Sequence, residues 1–340
     1  MTIHFTKRVK DLNRVVKFSK YGGPDLLQIE TDSPVDPAAG NVRVRMSAIA
    51  LNRANTMFRA GTYLSEATFP SRIGTEGVGI IDAVGANVAG WQVGKRVNLL
   101  PPANESLSGY AADFNTVPQD RLLPAPAELN DRQAATAWVP FLTIYHLFVE
   151  RKWAAKGRWI ALPAASSSVA LAANSLARHL GAKTIGITRT RNKQGALEAA
   201  GYDALVFSED KCIAKEIMQI APDGVDFVFD PVGGSALTDL VTSVKRGGEI
   251  NVYGALDPGV TPLPIFALMN NDAKISCYTV FELLNDPERL KAAVDFLLPL
   301  FDSGALVPVA DERELSLDQI GDAFRYLESN TQFGKVIVTV

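Results

Sequence analysis

The chain has 340 residues, with 34 Lys or Arg against 37 Asp or Glu and a formal net charge of −3; at roughly 100 to 200 residues per domain this length predicts two domains, and the charge balance excludes the basic face of a nucleic-acid-binding protein. Hydrophobic residues make up 47% and charged ones 21%, which excludes a disordered chain. Two cysteines, Cys212 and Cys277, exclude a disulfide framework and fit a reducing compartment, and three histidines, His4, His146 and His179, are too few for a structural zinc site at the usual spacings.

From the start of the chain, Met1–Lys20 mixes Lys7, Arg8, Lys10, Asp11 and Arg14 with short apolar stretches, so no signal-peptide core follows the basic residues. The longest apolar segments, such as Trp138–Leu142, are far shorter than the about 20 residues of a membrane span. The expectation is a cytoplasmic protein with no membrane partner.

Between Val15 and about Leu123 the signals are of β type. Val42–Met46 alternates, and Gly77–Ile81 and Arg96–Leu100 are short strand candidates bounded by turn residues. From about Asn130, Ala-rich helical segments alternate with short apolar strands, the rhythm of a parallel sheet. The predicted strands are Trp159–Leu162, Lys183–Thr188, Ala204–Phe207, Val225–Asp230 and Glu249–Tyr253. The helices between them are Ser168–Leu180, Asn192–Ala200, Ile213–Ile220 and Ser235–Val244. Near-continuous apolar strands with short connections predict an α/β domain, doubly wound with helices on both faces. After it, helices at Leu290–Phe301 and Leu317–Glu328 and a strand at Lys335–Val340 are expected to pack back on the first domain, which makes that domain discontinuous.

A dinucleotide turn normally uses glycines so that backbone N–H groups can approach a pyrophosphate at the positive end of the next helix. Here the equivalent stretch is Ala164-Ala165-Ser166-Ser167-Ser168-Val169-Ala170. Its residues are small, and its hydroxyls can cap the helix and reach phosphate oxygens. A capped core helix would give the same pattern. A second clue comes at the end of the next strand, where NAD-specific proteins carry an acid about 20 residues after the turn. Arg189, 22 residues beyond Ser167, stands there with Arg191 and Lys193. Two guanidinium forks and an ammonium suit the ribose 2′-phosphate of NADPH rather than the hydroxyl of NADH. A solvated basic turn is the alternative.

These residues, with Ala50–Asn55, Arg59–Tyr63, Ile73–Gly77, Val93–Val97, Leu142–Tyr145, Leu180–Lys183, Asp230–Gly234 and Gly334–Val336, resemble medium-chain dehydrogenase/reductases. The resemblance covers nearly the whole chain and is to the zinc-free quinone oxidoreductase and enoyl thioester reductase branch. It implies a GroES-like β-rich catalytic domain whose first part is 1–128, a Rossmann NADPH-binding domain at 129–271, and a return segment at 272–340. Zinc-dependent relatives place Cys where this chain has Asn52 and His where it has Thr75, and no Cys lies between Leu99 and Ala112, so no metal site is expected. Glu76 is left as a structural acid.

The resemblance also implies a catalytic Tyr63, whose phenol would hydrogen-bond or protonate a developing enolate oxygen, and an Asn52 that orients the nicotinamide ribose or the substrate oxygen. An amphipathic cleft tyrosine and a turn-forming asparagine are the plain alternatives. Thr143 and Tyr253-Gly254-Ala255-Leu256 would meet the nicotinamide end, with Tyr278–Phe281 beside it and Lys335 closing the site. Ser166–Val169 fall on the phosphate turn, and Arg189 and Arg191 on the 2′-phosphate pair. The departure is the loss of every turn glycine. At Ala170, where the family usually has Gly, a methyl enters a close helix–strand contact, which bears on cofactor affinity rather than on fold.

Other features take structural readings. His146 with Glu150 suits a helical pair, and Trp138, Phe141, Tyr145 and Phe148 at helical spacing read as a core stripe rather than a substrate stack; Asp230 ends a strand near where a cofactor would lie, and a helix-capping or loop-fixing role suits it equally. The expected function is NADPH-dependent, zinc-independent hydride transfer to a quinone or α,β-unsaturated carbonyl. A 2-enoyl thioester reductase and an NADPH-binding sensor without turnover are the alternatives. The partner is a small-molecule substrate, and a homodimer is expected, with Ala273–Cys277 extending the sheet across a two-fold axis.

Overall fold

The computed structural model describes residues 12–209 and 212–340. His4 and the residues Lys7, Arg8, Lys10 and Asp11 of the N-terminal reading lie outside the described residues. The chain forms two compact units, one running up to Trp138 together with Ala310–Val340, the other Val139–Val309. No helix among the described residues is long and apolar enough to cross a membrane.

The first unit is built on the strand Asn41–Ala50, in which Val42, Val44 and Met46 point inward while their neighbours face outward. It pairs antiparallel with Glu76–Val84, with Phe114–Pro118 and, through Ile337–Thr339, with the end of the chain. Arg96–Leu99 and Leu122–Pro124 continue the sheet beyond Glu76–Val84. The inward residues join Phe58, Tyr110 and Phe324 in one core. The helix Ile320–Glu328 contributes Ile320, Ala323, Phe324 and Leu327 to it at helical spacing.

The second unit is a six-stranded parallel sheet. Its order is Ala204–Phe207, Lys183–Thr188, Trp159–Pro163, Val225–Asp230, Val244–Val252 and Lys274–Cys277. Numbered along the unit this order is 3-2-1-4-5-6, which reverses between Trp159–Pro163 and its neighbours, the switch point where nucleotides bind at the carboxyl ends of the strands. The helix Ser168–His179 carries the first crossover and buries Leu171, Ala173, Leu176 and Ala177.

Both boundaries differ from the sequence division. The helix Asp131–Ala135 stays with the first unit, because Asn98 Nδ2 donates to the Ala134 carbonyl at 2.6 Å and Arg96 Nε to Asp131 at 2.8 Å. The helix Pro287–Asp302 belongs to the second unit rather than to a return segment, because Phe301 packs edge-on to Phe141 at 5.0 Å and Phe296 lies 5.9 Å from Tyr145. Periodicity marked this helix but could not say which core its apolar face would find.

The turn after Trp159–Pro163 places Ala164 at φ +52°, a left-handed conformation that a side chain disfavours by about 1 kcal/mol or more. Ala164→Gly removes that strain and is expected to raise unfolding stability by about 1 kcal/mol, measurable as an increased urea midpoint at unchanged slope.

Candidate active site

Three strand ends meet in the first unit. Ala50, the last residue of the central strand, pairs with Glu76 on one side and Ile337 on the other. The Leu51 N–H donates to the Val336 carbonyl at 3.0 Å, so Asn52 meets Lys335. Lys335 Nζ donates to Glu76 Oε1 and to Asn52 Oδ1, each at 2.6 Å. Asn52 Nδ2 donates to Glu76 Oε1 at 2.9 Å and to Thr75 Oγ1 at 3.1 Å. Lys335 and Glu76 are each 2% exposed, so the pair is dry and its charges are compensated by each other and by Asn52. Asn52 also caps the helix Arg53–Ala60, its N–H donating to Asn55 Oδ1 at 2.8 Å.

Asn55 is fully buried and carries the network further, its Nδ2 donating to Glu105 Oε1 at 2.7 Å and to Thr75 Oγ1 at 3.3 Å. Glu105 Oε1 also accepts from the Gly74 N–H at 2.9 Å. Burial pushes the Glu105 carboxyl up to about 7, against the pull of these two hydrogen bonds. Tyr63 is half-buried against the same core, and desolvation, with the nearby Glu105 charge, raises its phenol above the ordinary value. A tyrosine so placed stays protonated at neutral pH and can donate.

In the second unit the phosphate turn and the cations come together. Ser167 caps the helix Ser168–His179, accepting from the Ala170 N–H at 3.2 Å, and Lys193 Nζ donates to Ser166 Oγ at 3.0 Å. Behind the turn, the buried Tyr202 hydroxyl donates to the carbonyls of Ala165 at 2.8 Å and Ala170 at 3.2 Å, so the turn is held from inside while Ser166–Val169 remain half-exposed. The Ala170 methyl is buried, so the close contact tolerates it. Arg189 and Arg191 are exposed at the end of Lys183–Thr188, with the Arg191 guanidinium 4.1 Å above the Phe207 ring.

At the ends of the fourth and fifth strands, Asp230 accepts from the N–H groups of Val232 at 2.8 Å and Gly233 at 3.0 Å, and burial pushes its carboxyl up to about 6. The loop Tyr253–Leu256 is tied to it, because the Tyr253 N–H donates to the Asp230 carbonyl at 2.9 Å and the Leu256 N–H to the Pro231 carbonyl at 3.0 Å. A Cβ at Gly254 would lie 2.7 Å from the Pro231 oxygen, so only glycine fits there. Tyr253 stacks on Phe229 at 3.9 Å.

Of the residues expected from the sequence, the structure joins Asn52 to Lys335, Lys193 to Ser166, and Tyr253–Leu256 to Asp230. The Thr143 hydroxyl donates within its own helix to Val139 at 2.7 Å, and half-buried Phe281 begins the helix Phe281–Leu284. Asn55, Glu105 and Tyr202 were not singled out as site residues. The capping pattern Asn52-x-x-Asn55 was a signal for the first, whereas the contacts of Glu105 and Tyr202 span 50 and 37 positions of sequence and leave no local mark.

Residues 38–127 match the alcohol dehydrogenase GroES-like domain family and residues 168–298 the zinc-binding dehydrogenase family. Quinone oxidoreductase 1 of Escherichia coli K12 is 28% identical over 326 residues, covering 95% of this chain and 98% of its own. The crystal structure of Escherichia coli quinone oxidoreductase complexed with NADPH superposes with a TM-score of 0.88 at 27% identity, covering 96% of this chain and 100% of the other. A mycobacterial protein complexed with NADPH gives 0.86 at 25%, covering 96% and 100%. A GroES-like domain and a doubly wound parallel-sheet domain in one chain are the pair of folds that these dehydrogenase families describe. The chain belongs to the medium-chain dehydrogenase/reductases, in their quinone oxidoreductase branch.

Removing one partner of the dry pair leaves an uncompensated charge. Lys335→Met is expected to lower unfolding stability by about 3–5 kcal/mol, and adding Glu76→Leu to recover most of that loss, both read from denaturant melts.

Proposed function

We propose that this chain is an NADPH-dependent, zinc-independent reductase of quinones or α,β-unsaturated carbonyls. The observation that carries the reading is the set of cations at the end of Lys183–Thr188, next to a capped helix N-terminus. Arg189 and Arg191 are exposed there, and Lys193 already reaches Ser166. A 2′-phosphate suits the two guanidinium forks with Lys193 beside them, and Ser166, Ser167, Ser168 and Val169 suit the pyrophosphate with hydroxyls, N–H groups and the helix dipole. Bound NADPH supplies a hydride to an electrophilic carbon. Thr143, Tyr253–Leu256 and Phe281 are assigned to its nicotinamide end.

Tyr63, kept protonated by its raised pKa, donates to the oxygen on which negative charge develops, and Asn52 orients that oxygen or the ribose. Lys335 holds Asn52 in place and closes the site. Zinc independence rests on donor chemistry: the positions that carry Cys and His in zinc-dependent relatives are an amide and a hydroxyl, and an ammonium already engages Glu76 between them.

The test is steady-state oxidation of NADPH with small quinones and with a crotonyl thioester. Turnover of quinones is expected. Turnover of the thioester alone would make the chain an enoyl thioester reductase, and NADPH binding with no turnover of either would make it a sensor. Arg189→Ala and Arg191→Ala are each expected to weaken NADPH binding by about 10- to 100-fold while leaving NADH binding unchanged, measured by fluorescence titration.

A cytoplasmic homodimer completes the reading. The exposed thiols of Cys212 and Cys277 suit a reducing compartment. Among the described residues, Lys274–Cys277 ends the parallel sheet with one edge unpaired, and exposed Ile265, Phe266 and Met269 lie just before it in sequence. Light scattering is expected to give twice the mass of the 340-residue chain.

A further inference from the structure

Beyond the residues assigned above, one carboxylate is wired into the Asn52 site from a distance. Glu105 lies at the start of the short helix Glu105–Ser108, and its Oε1 receives two neutral donors, Asn55 Nδ2 at 2.7 Å and the Gly74 N–H at 2.9 Å. Each donor leads to the site by a second bond. Asn55 Oδ1 accepts from the Asn52 N–H, and Asn55 Nδ2 also reaches Thr75 Oγ1, which accepts from Asn52 Nδ2. Gly74 precedes Thr75 and Glu76 and sits at φ +108°, where a Cβ would lie 3.0 Å from the Ala111 nitrogen, so this turn has little freedom to shift. The chain of contacts therefore runs Glu105, Asn55, Asn52, Lys335, Glu76, with Thr75 bridging it.

We propose that Glu105 is a proton-linked positioning residue, whose charge state sets the orientation of Asn55 and Asn52 and the donor strength of Tyr63. The proposal rests on the reductase reading for its kinetic consequence alone. The ionised carboxylate is a stronger acceptor than the neutral acid, so losing its proton tightens the pull on Asn55 and Gly74 and adds a negative charge beside Tyr63. That charge raises the Tyr63 phenol further and makes it a poorer proton donor. The acid form is thus the one that favours protonation of a developing oxyanion. Burial places the change near neutrality, at about 7.

The surrounding elements carry the other charged groups. Arg53 and Arg59, on the helix Arg53–Ala60, bond to Asn330 and to Gly22 and Glu328. Arg72, on the strand Ser71–Arg72, bonds to Asn115, and Tyr110 donates to the Leu100 carbonyl at 2.7 Å. Glu66 lies in the same loop as Tyr63. The strand Phe114–Pro118 brings no charge.

Glu105→Gln tests the proposal, because the Gln oxygen accepts from the same two donors but does not titrate. In the wild-type protein labelled with 15N asparagine, the side-chain amide resonances of Asn52 and Asn55 are expected to shift together with a midpoint near pH 7, and to be flat across that range in Glu105→Gln. In quinone reduction, wild-type kcat is expected to fall as pH rises through about 7, and the variant to lose this limb. Resonances that are flat in the wild type, or a variant that keeps both the shift and the limb, would overturn the proposal. Glu105→Asp, which titrates but is one methylene shorter, is expected to restore a pH limb. Absence of turnover with every acceptor would sink the reductase reading, and the resonance titration would still decide the role of Glu105.

Discussion

The ion pair between Lys335 and Glu76 is the constraint on which the first unit depends. Two opposite charges, each 2% exposed, hold one another at 2.6 Å where three strand ends converge. Desolvating either charge alone costs several kcal/mol, so the segment carrying Lys335 and the strand carrying Glu76 each need the other to be in register. Lys335 reaches Glu76 only if Ile337 pairs with Ala50, and Ala50 must at the same time pair with Glu76. A one-residue slip in either ladder would turn one charge to the opposite face and strand its partner. The pair thus ties Lys335 to a strand that begins 259 positions earlier, and in doing so fixes the amide of Asn52.

The second unit solves a different electrostatic problem. A glycine turn lets backbone approach an anion closely, and this chain has none there. Ala164 takes the left-handed conformation that glycine would adopt without strain, Ser167 caps the following helix, and Tyr202 holds the carbonyls of Ala165 and Ala170 from behind. What the turn loses in backbone access it regains in charge and hydroxyls, since Lys193 reaches across to Ser166. The strain at Ala164 is tolerated because the Ala165 N–H is fixed to the Ile187 carbonyl at 3.0 Å and the Ser167 N–H to the Ala164 carbonyl at 2.8 Å.

Much of this was legible in the sequence, for reasons that differ between elements. The parallel strands were readable because burial on both faces makes each a continuous apolar run, and the strand beginning at Lys183 was bounded correctly at Thr188. The central strand was seen only as Val42–Met46, since beyond Met46 the chain is buried on both sides and the alternation stops. The helix Pro287–Asp302 was seen but placed with the wrong core, because its apolar face says that it packs and not on what. Within the site, Asn52, Tyr63 and Lys335 came from resemblance, and the basic cluster came from its charge together with its spacing after the turn. Glu105 was invisible because it owes its character to burial and to donors 31 and 50 positions away, neither of which is a property of its neighbours in sequence.

The place of the ammonium also bears on what can be reduced. A Lewis-acid metal binds a carbonyl oxygen directly and activates substrates that are not otherwise electrophilic. An ammonium that donates to Glu76 and Asn52 has no vacant coordination position to offer, so on the proposed reading activation in this site is assigned to hydrogen-bond donors such as Tyr63. Removing one such donor typically costs about 3 kcal/mol, which measures what a single donor can supply. A substrate that relies on so modest a contribution must bring its own electrophilicity and must spread the charge it receives. Quinones and conjugated carbonyls do both, because the added electron pair delocalises onto an oxygen, the one assigned above to the phenol of Tyr63. An isolated ketone is a weaker electrophile and leaves the charge localised on a single alkoxide oxygen, and on this ground the site favours the conjugated acceptors.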